Sequence, residues 1–221
     1  MWQHLYDELK GYGFMVFAVA MDSRGPEVAR PWIEAAKSTY VSVIDAEHRL
    51  ADLYNMVNVP EAAWIDEAGR IVRPTEVAGS GDYFRKMDRQ TRTLPEEAKT
   101  MREEMRAGYM NAVRDWVKNG KKSTYAFDSA VARAHVRPLS EDVALAHSWF
   151  RLGQHLHREG ATEEAEAAFA EASRLHPDSW NIWRQAGDIK FEGKPNPNFW
   201  ARVEGLGDRR YYDKIDMPDM P

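Results

Sequence analysis

A proline at position 60 divides the first third of this chain. No helix runs through it, because Pro60 has no amide hydrogen and its ring clashes with the preceding turn. The residue before it is pushed out of the helical region as well. Ahead of Pro60, residues 49–56 carry a helical pattern that ends in Val57-Asn58-Val59-Pro60. Behind it come two short apolar runs, Ala63-Trp64-Ile65 and Ile71-Val72, split by Asp66-Glu67-Ala68-Gly69. That order predicts helix, loop, strand, tight turn and strand.

The residues before 49 alternate in the same way. Leu5, Tyr6 and Leu9 recur at helical spacing over 2–10, and Gly11-Tyr12-Gly13 stops that helix. The continuous apolar run 14–21 predicts a strand buried on both faces, as in a parallel sheet. Gly25-Pro26 opens a helix over 26–37, with proline at its first position. Val41-Ser42-Val43-Ile44 predicts a short strand, and Asp45 is placed to cap a helix over 46–56. Strands alternating with helices argue for a βαβ sheet packed by helices.

The run Leu50-Ala51-Asp52-Leu53-Tyr54-Asn55-Met56-Val57-Asn58-Val59-Pro60, continued by Ala63-Trp64-Ile65-Asp66-Glu67-Ala68-Gly69-Arg70-Ile71-Val72, resembles the second half of thioredoxin-fold redoxins. It looks most like the TlpA/ResA-like thiol-disulfide reductases and the wider AhpC/TSA group. The family's proline is cis and lies beside its redox cysteines. The resemblance therefore implies that Pro60 is cis and that Val59 offers its backbone to an extended substrate. It also implies a protein disulfide or a peroxide as that substrate. Glu61 stands where redoxins often carry a small polar residue. The resemblance spans 2 to about 74. In the family, one further strand lies in the middle of the sheet, followed by the redox motif, and neither has a counterpart here.

Three arrangements accommodate the missing strand. The sheet closes directly, pairing 14–21 with 62–66; a second chain, for instance in a homodimer, fills the slot; or the protein continues upstream of Met1, bringing a strand and a reactive cysteine or selenocysteine. An upstream reading frame without such a motif removes the third.

The chain contains no cysteine. It therefore offers no disulfide, thiol nucleophile or thiolate metal site of its own. No catalytic residue, metal ligand or cofactor is assigned. A net charge of −5 leaves no basic footprint for nucleic acid. No apolar run is long enough to span a bilayer, so no membrane partner is expected. Met1-Trp2-Gln3-His4 opens directly into a helical pattern without a signal-peptide core. The chain as written is expected to be cytoplasmic, or extracytoplasmic if its N-terminus continues upstream. His155 and His157 point to different faces of a helix and make a poor metal pair. His4 with Asp7 and Glu8 reads as a solvated surface group.

Residues 77–93 are polar, with Gly79-Ser80-Gly81, and read as a loop or short helix. Thr93-Leu94-Pro95-Glu96 reads as a helix start with Glu96 placed for a capping box. Over 96–119, Met101, Met105, Tyr109, Val113 and Trp116 form a helical stripe, read as core, which Gly120 ends. Residues 118–122 form a basic helix end, and 123–138 a connector with an aromatic anchor at Tyr125-Ala126-Phe127.

Trp149, Leu152, Gly153, Leu156, Ala165, Phe169, Ala172 and Pro177 stand at the consensus positions of a tetratricopeptide repeat, with Leu156 in place of the usual tyrosine. Helices are expected over 140–159 and 162–175, crossing closely at Gly153 and Ala165 with Phe169 filling the gap. Trp183, Ala186 and Gly187 continue the phase until Gly193-Lys194-Pro195-Asn196-Pro197. The tail is expected to lie extended on the surface, held by Trp200 and its tyrosines.

The expected fold is α/β: a thioredoxin-like sheet lacking its first, central strand, followed by an all-α TPR-like extension. Residues 1–78 form the redoxin part, 79–138 a helical connector, and 139–221 the TPR-like hairpin and tail. The expected activity is that of a redoxin-type thiol-disulfide oxidoreductase or antioxidant protein, inactive as written for lack of a redox cysteine. The alternative is a non-catalytic interaction module that takes a protein partner at the TPR-like hairpin. Val59 and Pro60 are the candidate substrate-binding residues.

Overall fold

Helix-forming stripes and strand-forming runs follow one another in the expected order. The computed structural model describes residues 1–218 and 220; Asp219 and Pro221, at the end of the expected third segment, lie outside the described residues. In chain order the elements are α1 (Trp2–Leu9), β1 (Phe17–Ala20), α2 (Pro26–Ala36), β2 (Val41–Ile44), α3 (Arg49–Leu53), β3 (Glu61–Ile65), β4 (Ile71–Val77), α4 (Glu96–Asn119), α5 (Ser129–Ala134), α6 (Glu141–Arg158), α7 (Thr162–Leu175), α8 (Trp180–Lys190) and α9 (Phe199–Glu204). The fold is mixed α/β with helix predominating. Among the described residues no helix is long and apolar enough to cross a membrane.

The strands form two separate two-stranded sheets. β1 and β2 run parallel, with Phe17 opposite Val41 and Ala20 opposite Ile44. β3 and β4 are antiparallel, with Glu61 opposite Val77 and Ile65 opposite Ile71. The direct closure of 14–21 onto 62–66 does not occur, since among the described residues β1 pairs only with β2 and β3 only with β4.

The chain divides into two units whose residues interleave. One comprises Met1–Phe14, Val59–Val136 and the described residues from Asn198; the other comprises Met15–Asn58 and Arg137–Pro197. This grouping cuts across the sequence-order division at 78 and 138.

In the first unit, Asp66 organises the β3–β4 turn. Its carboxylate accepts the amides of Ala68 (3.0 Å) and Arg70 (2.9 Å). Gly69 takes the left-handed conformation (φ 75°) that this turn needs. β4 runs past Val72 to Val77, through Pro74. Its register slips between the Ala62–Glu76 and Trp64–Arg73 pairs, and this bulge accommodates a residue with no amide to donate. Leu5 and Leu9 of α1 and Met105, Tyr109 and Val113 of α4 join Trp64 and Val77 in one core. The α4 stripe is core, as its spacing predicts. Pro95, not a capping box, precedes α4, and the Thr93 hydroxyl meets that of Thr91 (2.7 Å).

The tail differs from expectation. Ile215 and Met217 are buried in the same core as α1 and α4 and Tyr211 is buried as well, so the segment is an internal element and not a surface strap. Its hydrophobic residues are spaced irregularly, which left no helical or strand period to read. Arg73 holds it. This guanidinium is fully buried and donates to both Glu76 oxygens (2.5 and 3.0 Å), to Tyr125 O and to Asp216 O (2.6 Å each). The rings of Phe127 (4.2 Å) and Trp64 (5.5 Å) lie against it.

In the second unit, the run 14–21 is not buried on both faces. The strand begins only at Phe17, which is 66% exposed, and Val41 and Val43 on the same face are also exposed. An apolar run permits cover on both faces but does not supply it. α3 is shorter than the expected 46–56 because His48 (φ 55°) and Asn55 (φ 48°) adopt left-handed conformations at its two ends. Asp45 still caps it, accepting the amides of Arg49 (2.9 Å), Leu50 (2.8 Å) and Ala51 (3.3 Å). α6 and α7 form the expected hairpin, turning at Gly160 (φ 81°). Gly153 sits against Phe169, and a Cβ there would lie 2.6 Å from the ring. Phe150, Ala165, Phe169, Ala172, Ile182 and Ile189 complete this core across α6, α7 and α8.

Two stability outcomes follow from these cores. Gly153→Ala forces Phe169 to move and is expected to cost about 1–3 kcal/mol; an unchanged urea midpoint would contradict the close crossing. Arg73→Met strands the Glu76 carboxylate, whose pKa burial already raises, and is expected to cost about 3–5 kcal/mol. Arg73→Met/Glu76→Gln should recover part of that loss in the same denaturation assay, because it removes the stranded charge.

Candidate functional site

The loop before β3 presents backbone rather than reactive side chains. The Val59–Pro60 peptide is cis. Pro60 O accepts the amide of Ala78 (3.0 Å), closing the end of the β3–β4 ladder. Glu61 begins β3 opposite Val77. Val59 is 40% exposed, and its carbonyl accepts the hydroxyl of Tyr212 (2.9 Å). Both candidate substrate-binding residues therefore sit at one strand entry, and a side chain from the tail already engages one of them.

The tail is placed there by a chain of polar contacts. The Asp82 carboxylate accepts the amides of Tyr211 (3.0 Å) and Tyr212 (2.9 Å). Arg85 donates to Gly207 O (2.9 Å) and Arg209 O (3.0 Å). Phe84 meets Tyr211, Tyr212, Phe199 and Trp200 in an aromatic cluster, and Arg89 lies over Trp200 at 4.6 Å.

Further along, His135 fastens Asp216. Its Nδ1 faces Val131 O at 2.9 Å and its Nε2 faces the Asp216 carboxylate at 2.6 Å. Both partners can only accept, so both contacts are satisfied only when the ring carries two protons. The Val131 carbonyl and the Asp216 carboxylate accordingly raise the His135 pKa.

The second unit holds a different arrangement. Polar side chains of α6 and α8 grip the backbone of the 22–57 segment. Gln154 donates to Ala46 O (2.9 Å) and Ser23 Oγ (3.0 Å). Asn181 donates its side-chain amide to Met56 O and its backbone amide to Val57 O (2.9 Å each). Gln185 accepts the amide of Ser23 (2.7 Å). His48, His147 and His176 are buried at this seam, and burial lowers all three pKa values, that of His48 to about 4. Nothing in the sequence marked these histidines, which are isolated from one another and from any motif.

Asp7 pairs with Lys10 (2.8 Å) and Glu8 with Arg114 (2.8 Å). His155 and His157 are exposed on α6. Among the described residues no group of three or more histidine, cysteine, aspartate or glutamate side chains could hold a metal ion.

No family model, curated protein or solved structure matches this chain.

The pH response of the tail follows from His135. The group's pKa is raised in the folded state, so its contribution is fully present below the ordinary value of about 6.5 and is lost as pH rises through the folded value. In proton NMR, His135 is expected to titrate above about 6.5, and Asp216→Asn should bring it down. A titration that Asp216→Asn does not move would refute the contact.

Proposed function

We propose that this chain is a thioredoxin-like redoxin module that binds an extended polypeptide at Val59–Pro60 without performing thiol exchange with its own side chains. The observation that carries the reading is the Tyr212 hydroxyl on Val59 O at 2.9 Å. An irregular stretch of this chain already uses the acceptor that the redoxin resemblance gives to substrate. The order of elements up to the β3–β4 hairpin supports the same reading.

The absence of cysteine sets the chemistry. Disulfide or peroxide reduction proceeds by attack of a thiolate or selenolate on sulfur or oxygen. In this reading that nucleophile comes from outside these 221 residues, and the module contributes position. A second reading, of α6–α8 as a TPR-like array, is favoured by Gln154, Asn181 and Gln185. Side chains of this type read a polypeptide backbone, and the backbone they read here is the chain's own.

The probe is carboxymethylated insulin B chain, an extended polypeptide without free thiols. Its addition is expected to shift the amide resonances of Val59, Glu61 and Val77. Tyr212→Phe removes one competing hydrogen bond, worth about 1 kcal/mol, and should tighten binding about fivefold. If B chain moves none of these resonances in either protein, the reading fails. Insulin reduction by the chain with dithiothreitol should not exceed the dithiothreitol background, and excess turnover would overturn the non-exchanging role.

A further inference from the structure

Three of the chain's seven histidines are buried inside the second unit. His48 precedes α3, His147 lies on α6 and His176 follows α7. They are 3%, 4% and 8% exposed. The rings of His147 and His176 are 6.1 Å apart, and the Nε2 atom of each is buried without a hydrogen-bond partner. The His48 ring stands edge-on to Phe150 at 5.0 Å, and its Nε2 lies 3.2 Å from Ser23 Oγ.

The charged groups facing the cluster are already committed. Asp45 is used in capping α3. Asp52 Oδ1 is 3.9 Å from His147 Nε2, but its other oxygen is bonded by Arg151 at 2.5 Å. Asp22 holds Arg24 at 3.0 Å and acts on His48 only at a distance, as Asp178 and Arg137 do on His176. Arg151 also disfavours a charge on His147, and His147 one on both other rings. Asp188, bound through Gln185, is itself desolvated. Among the described residues, the carboxylates facing the cluster are engaged elsewhere or act on it only at a distance, so protonating it places like charges close together in a desolvated seam.

We propose that His48, His147 and His176 form an acid-operated latch that holds segment 45–57 against α6 and α8 at neutral pH and releases it on acidification. The contacts that would open are those of Gln154 to Ala46 and of Asn181 to Met56 and Val57. An opened imidazole regains its ordinary affinity for protons, near pH 6.5, while a closed one is held below it. The open form therefore gains protons as pH falls from about 6.5, and the latch is fully set only above that value. At pH 5.0 each histidine favours opening by up to about 30-fold.

The test is hydrogen exchange of the full chain at pH 7.5 and 5.0, corrected for intrinsic rates, reading peptides from 45–57 with α4 as the internal reference. Protection over 45–57 is expected to fall at least tenfold at pH 5.0 while α4 keeps its own. His48→Gln/His147→Gln/His176→Gln should reduce that difference to about twofold or less. Unchanged protection over 45–57, an equal loss in α4, or a folded triple variant that keeps the tenfold difference would each overturn the latch. Should the triple variant fail to fold, histidine titrations of the unaltered protein decide. His147 and His176 staying neutral until 45–57 opens supports it, and ordinary titration near pH 6.5 with 45–57 still protected overturns it.

Discussion

The first unit depends on one buried cation. Arg73 has no access to water, so each N–H it carries must find an acceptor within the fold. It finds them on three separate segments: Glu76 on its own strand, Tyr125 on the connector and Asp216 on the tail. A planar guanidinium with five donors suits that task, because it addresses several directions while remaining charged. Trp64, opposite Arg73 in the ladder, carries the arrangement on to α4 through Tyr109 (2.9 Å) and the stacked ring of Trp116 (5.0 Å). The β4 bulge contributes as well, since the slipped register lets Arg73 and Glu76 meet three residues apart along one strand.

The second unit is organised by neutral polar groups. Glutamine and asparagine side chains satisfy backbone carbonyls and amides of loops that belong to neither a ladder nor a helix interior. That solution costs less desolvation than an ion pair. It leaves little local compensation if a neutral group becomes charged. The contrast explains why opposite pH responses are expected: His135 gains from protonation beside Asp216, whereas the seam histidines lose.

Much of the local structure was legible. The turn at 66–69, the long helix α4 and the α6–α7 hairpin each follow from short-range rules, and each occurs where those rules put it. Asp45 caps α3, although His48 delays the helix by a left-handed step that no residue pattern announces. Val59 and Pro60 stand together at the head of β3 because they are neighbours in sequence. Tyr212, the residue that reaches Val59 O, was not legible as part of that place. It comes from 153 positions away along an aperiodic tail.

Sequence by itself determined the order of the main helices and strands, which face of α4 is apolar, and that no thiol chemistry belongs to these side chains. These are properties of residue type and of spacing within a few positions, where sterics and hydrogen bonding act locally. Tertiary structure alone decided that the tail enters the core, that one face of β1–β2 stays open, and that Arg73 and three scattered histidines become buried. Burial depends on which distant segments arrive together, and an apolar run or a lone histidine carries no record of its eventual neighbours.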